Sequence, residues 1–364
     1  MYRFTLTVLV AALLVVSCEK DSLVSEISKD QYITIGFPTV VVEDDMLSFT
    51  SVDDFIDALK TVSESSDDEV EGIMHSLNFS SLWMEYYSIM SRIEANPTVS
   101  AEQQLLASEA ERYFLDDEML VPFNSSRMFA SLLNREGKVL INNELHYFSD
   151  KAHVLVKDRS EATLEQVLSE QSAGSLVGVA YTPQYLSPSA IKLINEKSLS
   201  NCIQNDFTNL QDEVKNNNRR MNLEYKSNVF VRNLSSTQTE YEYFISSKLR
   251  NRKKSGLNWI LNFRRCEFRV LTTLQTQRII CPPSGACVTL DFGNSASNVN
   301  PFTTTSDGVT ADGKVADWEI LLNRLFFTDR PGLTPLHIIR AGTIQGRHLD
   351  NDNGMITITN HGCL

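Results

Sequence analysis

No Cys-x-x-Cys pair and no Gly-x-Ser-x-Gly turn occurs among the 364 residues, and no second apolar run approaches membrane-spanning length. The first absence, with no paired His motif beside it, removes the ligand spacing of a structural zinc site. The second removes the turn that presents a serine nucleophile. A carboxylate pair for glycosidic cleavage would leave no local spacing, because its members meet only in the fold. Positive charge is also scarce: 46 acids against 33 bases give a net charge of −13 and a pI near 5.0. That balance excludes a nucleic-acid partner, since phosphate binding needs clustered cations. No internal repeat is visible. What the chain does have is 42% hydrophobic and 9% aromatic residues, enough for a sizeable core and for two domains.

The chain opens with Arg3 and then runs apolar from Phe4 to Val16, broken by two threonines, to Ser17-Cys18. This is shorter than the roughly 20 residues of a membrane-spanning helix, and small Ser17 suits cleavage before Cys18, so residues 1–17 read as a removable export signal. Val15-Val16-Ser17-Cys18 resembles the lipobox of bacterial lipoproteins, with Val15 where leucine is commoner. The resemblance implies that the Cys18 sulfur takes a diacylglyceryl group and that Cys18 becomes the mature N-terminus. Several acyl chains, palmitate among them, make such an anchor durable where one alone would not. Residues 18–45 then read as a tether. Glu19-Lys20-Asp21 resembles the surface-export signal of Bacteroidota lipoproteins, which implies an outer-membrane address with the body outside the cell; a solvated spacer is the plainer reading of the same three residues.

Beyond Cys18 the cysteines are Cys202, Cys266, Cys281, Cys287 and Cys363. In an oxidising compartment at most two disulfides form and one thiol is left over. Cys281 and Cys287 flank Pro282-Pro283-Ser284-Gly285, a turn-forming stretch, and make the favoured pair.

Apolar residues recur at helical spacing between about 48 and 134, behind residues able to cap. Val52, Phe55, Ile56 and Leu59 follow Ser51; Val70, Ile73, Met74 and Leu77 follow Ser66, with Glu69 in the capping-box position. A third helix runs through Leu82, Tyr86, Ile89 and Ile93 to Asn96-Pro97, a fourth starts at Ser100, and a short fifth holds Met128, Phe129, Leu132 and Leu133. Alternation of Val139 and Ile141, then Leu145 and Tyr147 around Asn142-Asn143, predicts a hairpin. Thr163–Leu168 and Ser189–Ile194 read as helical, and Asn216–Arg220 as a loop. From Tyr225 short alternating runs separated by turn signals dominate, with one inserted helix expected at Trp318–Phe326. The predicted fold is α+β: a helical domain with a hairpin over 46–160, a mixed linker region over 161–224, and a β-rich, sandwich-like domain over 225–364.

The stretches Phe49–Phe55, Leu77–Leu82 and Leu133–Val139, together with Cys18, resemble a group of uncharacterised lipoproteins from gut Bacteroidota, over about residues 15–160. The resemblance implies a helical segment, a hairpin of the type Leu-Asn-x-x-Gly-x-Val and a β-rich C-terminal region. Its motifs are structural and bring no catalytic residues.

Two stretches invite a ligand. Asp312 and Glu319 could belong to a calcium loop running into the Trp318 helix, although Gly308 stands where the first acid belongs and a helix-capping loop is the simpler account. Asp350–Gly354 reads as a hairpin turn. Lys248, Arg250, Arg252, Lys253 and Lys254 form a basic cluster that could contact an anionic polymer, or could be a solvated hairpin tip. His75, His146, His337, His348 and His361 are scattered, and Trp83, Trp259 and Trp318 suit a core better than a sugar platform. No cofactor is implied. The reading that follows is a membrane-anchored envelope lipoprotein that binds a glycan or an envelope protein, or serves a structural role. The alternative is a glycan-acting hydrolase, marked by two carboxylates in an aromatic-lined cleft.

Overall fold

The computed structural model describes residues 37–95, 113–116, 119–184, 207–212, 219–255, 258–262, 266–270, 275–281, 288–291, 317–329, 334–348 and 356–360. Cys18, Cys202, Cys287, Cys363, Asp312, His361, the helix expected from Ser100 and the one expected at Ser189–Ile194 lie outside these residues. The fold is α+β.

Three helices appear where the apolar spacing and caps place them: α1 (Val52–Glu64), α2 (Asp67–Ser76) and α3 (Leu82–Ala95). The Ser51 hydroxyl accepts from the Asp54 N–H, and Ser66 with Glu69 closes a full capping box, satisfying backbone donors that a first turn leaves without partners. A single-turn helix, α4 (Arg127–Ala130), starts at Ser126, and α5 (Glu161–Glu170) at Ser160.

The first sheet has six strands in the order β1 (Val40–Glu43), β2 (Met46–Phe49), β5 (Lys138–Ile141), β6 (Glu144–Phe148), β7 (Ala152–Val156) and β8 (Val179–Pro183). The expected hairpin is β5–β6. Its two turn residues, Asn142 and Asn143, have φ of 55° and 60°, the paired left-handed conformation whose twist matches the strands it joins. Among the described residues this sheet has one parallel pairing, β2 with β5, and the chain between those two strands includes α1 to α4.

The second sheet runs β3 (Tyr113–Asp116), β4 (Met119–Pro122), β12 (Asn258–Leu261), β11 (Thr239–Ser255), β10 (Arg219–Leu234), β9 (Phe207–Asp212), with β16 (Asp317–Asp329) also paired to β11. The third joins β13 (Cys266–Val270), β17 (Thr334–His348), β14 (Gln275–Cys281) and β15 (Val288–Asp291), with β18 (Ile356–Asn360) on β17. Residues 161–224, read as a mixed linker region, supply α5, strand β8 of the first sheet, and β9 and the start of β10 in the second.

The helix expected at Trp318–Phe326 is strand β16. A short apolar run cannot by itself separate a buried strand from a helix. Here β11 decides it, offering a ladder from Thr239 opposite Asp329 to Arg250 opposite Asp317.

Phe55 of α1 centres the main core. Its ring lies 5.4 Å from Phe49, 6.1 Å from Phe129, 5.9 Å from Phe148 and 6.0 Å from Phe230. Phe230 on β10 and Phe244 on β11 therefore close the core that the helices and first sheet begin, so sequence-distant regions share one apolar interior. Among the described residues no helix is long and apolar enough to cross a membrane.

Candidate functional site

Helices α2 and α3 enclose a cleft of about 730 Å³, inside the range of small-ligand pockets. Its walls follow from helical spacing. Asp67, Asp68 and Glu71 share one face of α2, while Trp83 and Tyr87, one turn apart, face them from α3; Arg135 adds a cation from the turn before β5. The acids serve α2 as well, because negative charge in a first turn complements the helix dipole. Their field reaches Tyr87: burial first, then the charges of Asp67, Asp68, Glu71 and Asp317, push its hydroxyl pKa well up. The cleft combines acceptors for hydroxyl or amine donors, a cation and aromatic surface.

Behind the cleft, Arg127 holds the α1–α2 corner. Its Nε donates to Asp67 Oδ1 at 2.8 Å, Nη1 to the Val62 carbonyl at 2.9 Å and Nη2 to the Ser65 carbonyl at 2.8 Å. One guanidinium thus occupies carbonyls at the end of α1 and an acid at the start of α2, with its side chain 1% exposed.

Deeper still is a charged network between β11, β16 and α4. Lys248 stands opposite Glu319 and Arg250 opposite Asp317 in the strand register. Arg252 Nη2 lies 3.1 Å from Asp317 Oδ2, and Lys248 and Arg250 both donate to the Ser125 carbonyl. Glu319 accepts from the Ser246 hydroxyl at 2.7 Å, the Ser126 hydroxyl at 3.0 Å and the Met128 N–H at 3.3 Å. Burial alone would raise the Asp317 pKa, but Arg252, Lys248 and Arg250 outweigh it and hold the carboxyl below its ordinary value. Lys248 Nζ also lies 5.9 Å from the Trp83 ring centre, joining the network to the cleft wall.

The basic cluster of the sequence is therefore not a solvated hairpin tip as a whole, and only Lys253 and Lys254 lie beside the β11–β12 turn. Strand β11 continues through it to Ser255, and Lys248, Arg250 and Arg252 are buried, while Lys253 is half-buried and Lys254 exposed. The neutralising acids lie some seventy positions downstream, so no local pattern announces them. Glu319, weighed as a calcium ligand against the simpler capping-loop account, accepts from two hydroxyls and a backbone amide. Among the described residues no group of three or more His, Cys, Asp or Glu side chains is placed to hold a metal ion.

Cys281 ends β14, whose neighbouring residue Ile280 pairs with Val288 of β15. His75 is an exposed partner of Glu71 at 3.2 Å. His146 is buried against His153, a residue no motif marks; the continuous apolar run of β7 around His153 is the one signal that this strand is covered on both faces, while the alternation of Leu145 and Tyr147 puts His146 on the other face of β6. The cleft residues were also unmarked, since Asp67, Asp68 and Glu71 read as the acidic start of an ordinary helix.

No protein-family model matches the chain, and no curated protein matches it. The chain is similar to a solved structure, that of a DUF4848 family protein from Bacteroides thetaiotaomicron VPI-5482. That likeness spans 88% of this chain and 100% of the other at 14% identity, with a TM-score of 0.26.

Proposed function

We propose that the protein is an acyl-anchored envelope protein, held at the outer membrane through Cys18 with its body at the cell surface, that binds a glycan in the α2–α3 cleft. The cleft carries this reading. Carboxylates of Asp68 and Glu71 accept from sugar hydroxyls, Arg135 donates to ring or carbonyl oxygens, and the half-buried Tyr87 ring offers an apolar face. The buried network supports binding over catalysis by a basic patch, because Lys248, Arg250 and Arg252 are occupied by Asp317 and backbone oxygens. Lys253 and Lys254 carry whatever contact with an anionic polymer the cluster makes. The approach of β10 to β17 supports a sandwich-like pairing of the second and third sheets.

Calorimetric titration of the mature chain against a panel of neutral and amino-sugar oligosaccharides tests the reading. The expected result is binding that weakens about tenfold or more in Tyr87→Ala and Glu71→Gln, in line with the loss of a central contact. Affinity unchanged in both variants, or binding by none of the sugars, would defeat it. The carboxylates also favour a second reading, glycan hydrolysis: release of new reducing ends, abolished in Glu71→Gln or Asp68→Asn, would establish that one instead. Mass spectrometry of the native product tests the address, which requires an N-terminal acylated Cys18.

A further inference from the structure

His146 Nδ1 and His153 Nε2 lie 3.1 Å apart, and the two rings are 1% and 0% exposed. The Val231 N–H donates to His153 Nδ1 at 3.3 Å. A backbone amide can only donate, so His153 Nδ1 presents a lone pair, and the proton of the neutral ring sits on Nε2. That proton faces His146 Nδ1, which must accept, leaving the His146 proton on Nε2, an atom with no hydrogen-bond partner among the described residues. Both lone pairs of the neutral pair are thereby in use. A further proton can land only where an N–H already points.

Among the described residues, the cross-strand neighbours and ring contacts of the pair carry no charge to compensate it. His146 stands opposite Val139 and Leu155, and His153 opposite Phe148 and Thr182. The Phe148 and Phe230 rings lie 4.5 Å and 6.1 Å from His153, and Phe55 of α1 and Phe129 of α4 back Phe148. On β11 the titratable group opposite Val231 is Tyr241. Burial holds His146 neutral, its pKa pushed down to about 3; burial and then the neighbouring His146 hold His153 well below its ordinary value. The chain of hydrogen bonds also crosses an interface, since β6 and β7 belong to the first sheet and β10 to the second. Two residues before Val231, the Gln184 side chain makes a second tie, donating to the Val229 carbonyl at 2.8 Å and accepting from its N–H at 3.0 Å.

We propose that the imidazole pair is an acid-operated latch between the first sheet and β10: protonation sets donor against donor, breaks the Val231–His153–His146 chain and lets β10 part from β7. The open form carries imidazoles with an ordinary pKa of 6.5. Its population relative to the closed form therefore grows by up to about tenfold per imidazole for each pH unit below that value.

Hydrogen exchange of the full chain, followed by mass spectrometry and corrected for intrinsic rates, reads the latch. Between about pH 7 and pH 5 the segments around Val231 and His153 are expected to exchange at least about tenfold faster, while α2 keeps its protection. His153→Asn, whose amide oxygen still accepts from Val231 but does not titrate, leaves His146 as the one titrating imidazole of the pair and is expected to halve the logarithmic slope of that dependence, from up to about a hundredfold to up to about tenfold per pH unit. Corrected exchange that ignores pH, or α2 deprotecting together with Val231, would overturn the proposal. Should the variant not fold, nitrogen-15 spectra of the wild-type imidazoles decide: protons on both Nε2 atoms support the latch, and a proton on His153 Nδ1 ends it.

Discussion

Arg250 and Asp317 face each other across the β11–β16 ladder, Nε and Oδ1 3.6 Å apart, with side chains 3% and 1% exposed. The pair lies where desolvating each ion costs several kcal/mol and only the partner offsets it. Asp317→Asn keeps the shape and removes the charge, leaving Arg250 and Arg252 facing an amide. The expected loss is about 3 to 5 kcal/mol in urea unfolding. A loss below about 1 kcal/mol would mean that the network contributes no more than an exposed ion pair does. The sign with pH follows from the depressed carboxyl. Its contribution is present above the unfolded value of 3.8 and is lost as pH falls below it, so the wild type and Asp317→Asn should converge in acid.

Arg127 spends its donors on two carbonyls and one carboxylate from two different helices. Arg127→Met retains most of the volume but leaves the Val62 and Ser65 carbonyls and Asp67 without that donor, at about 1 to 3 kcal/mol for each buried group left unsatisfied. Arg127→Lys restores the charge without the fork and should recover only part of the loss. Thermal melts of the three proteins check the order: wild type highest, Lys intermediate, Met lowest.

Gly137 is the one residue of its turn that side chains exclude on two grounds. Its φ is +81°, and a Cβ there would lie 2.6 Å from Phe123 Cε2 and 3.0 Å from the Phe148 carbonyl oxygen. Gly137→Ala should cost about 2 kcal/mol or more, from left-handed backbone strain and displacement of Phe123, read as a lower melting temperature. Gly174→Ala is the control: it shares the positive φ but meets nothing within 4 Å, so its loss should be the smaller.

Ile280 and Val288 are cross-strand partners, and Cys281 directly follows the one as Cys287 directly precedes the other. With the export reading, that placement favours a Cys281–Cys287 disulfide. Non-reducing peptide mapping of the native product should yield the two cysteines in one linked fragment. Reduction should lower stability by about 2 kcal/mol, the chain-entropy value for so short a loop. Two free thiols at these positions would refute the pairing.

Helix caps, turn residues and alternation were legible because they act through neighbours a few residues apart. Ser66 finds Glu69 three positions on, and Asn142-Asn143 makes its own turn. Chemistry was less legible. The basic run 248–254 reads as solvated charge until Asp317 and Glu319, far down the chain, are brought opposite it. The cleft exists only because α2 and α3 lie side by side, and nothing in the spacing of Asp67, Asp68 and Glu71 distinguishes a cleft wall from the ordinary acidic start of a helix.

By itself the sequence determined the α+β character, the positions of α1, α2, α3 and α4 and the β5–β6 hairpin with its Asn142-Asn143 turn, since local backbone preference and apolar periodicity are properties of adjacent residues. Tertiary structure alone decided that Trp318–Phe326 is a strand, that Lys248, Arg250 and Arg252 are interior, and that two histidines share one proton chain with Val231. Each of these depends on a partner distant in sequence, and a buried charge or an ambiguous apolar run takes its role from whatever the fold sets against it.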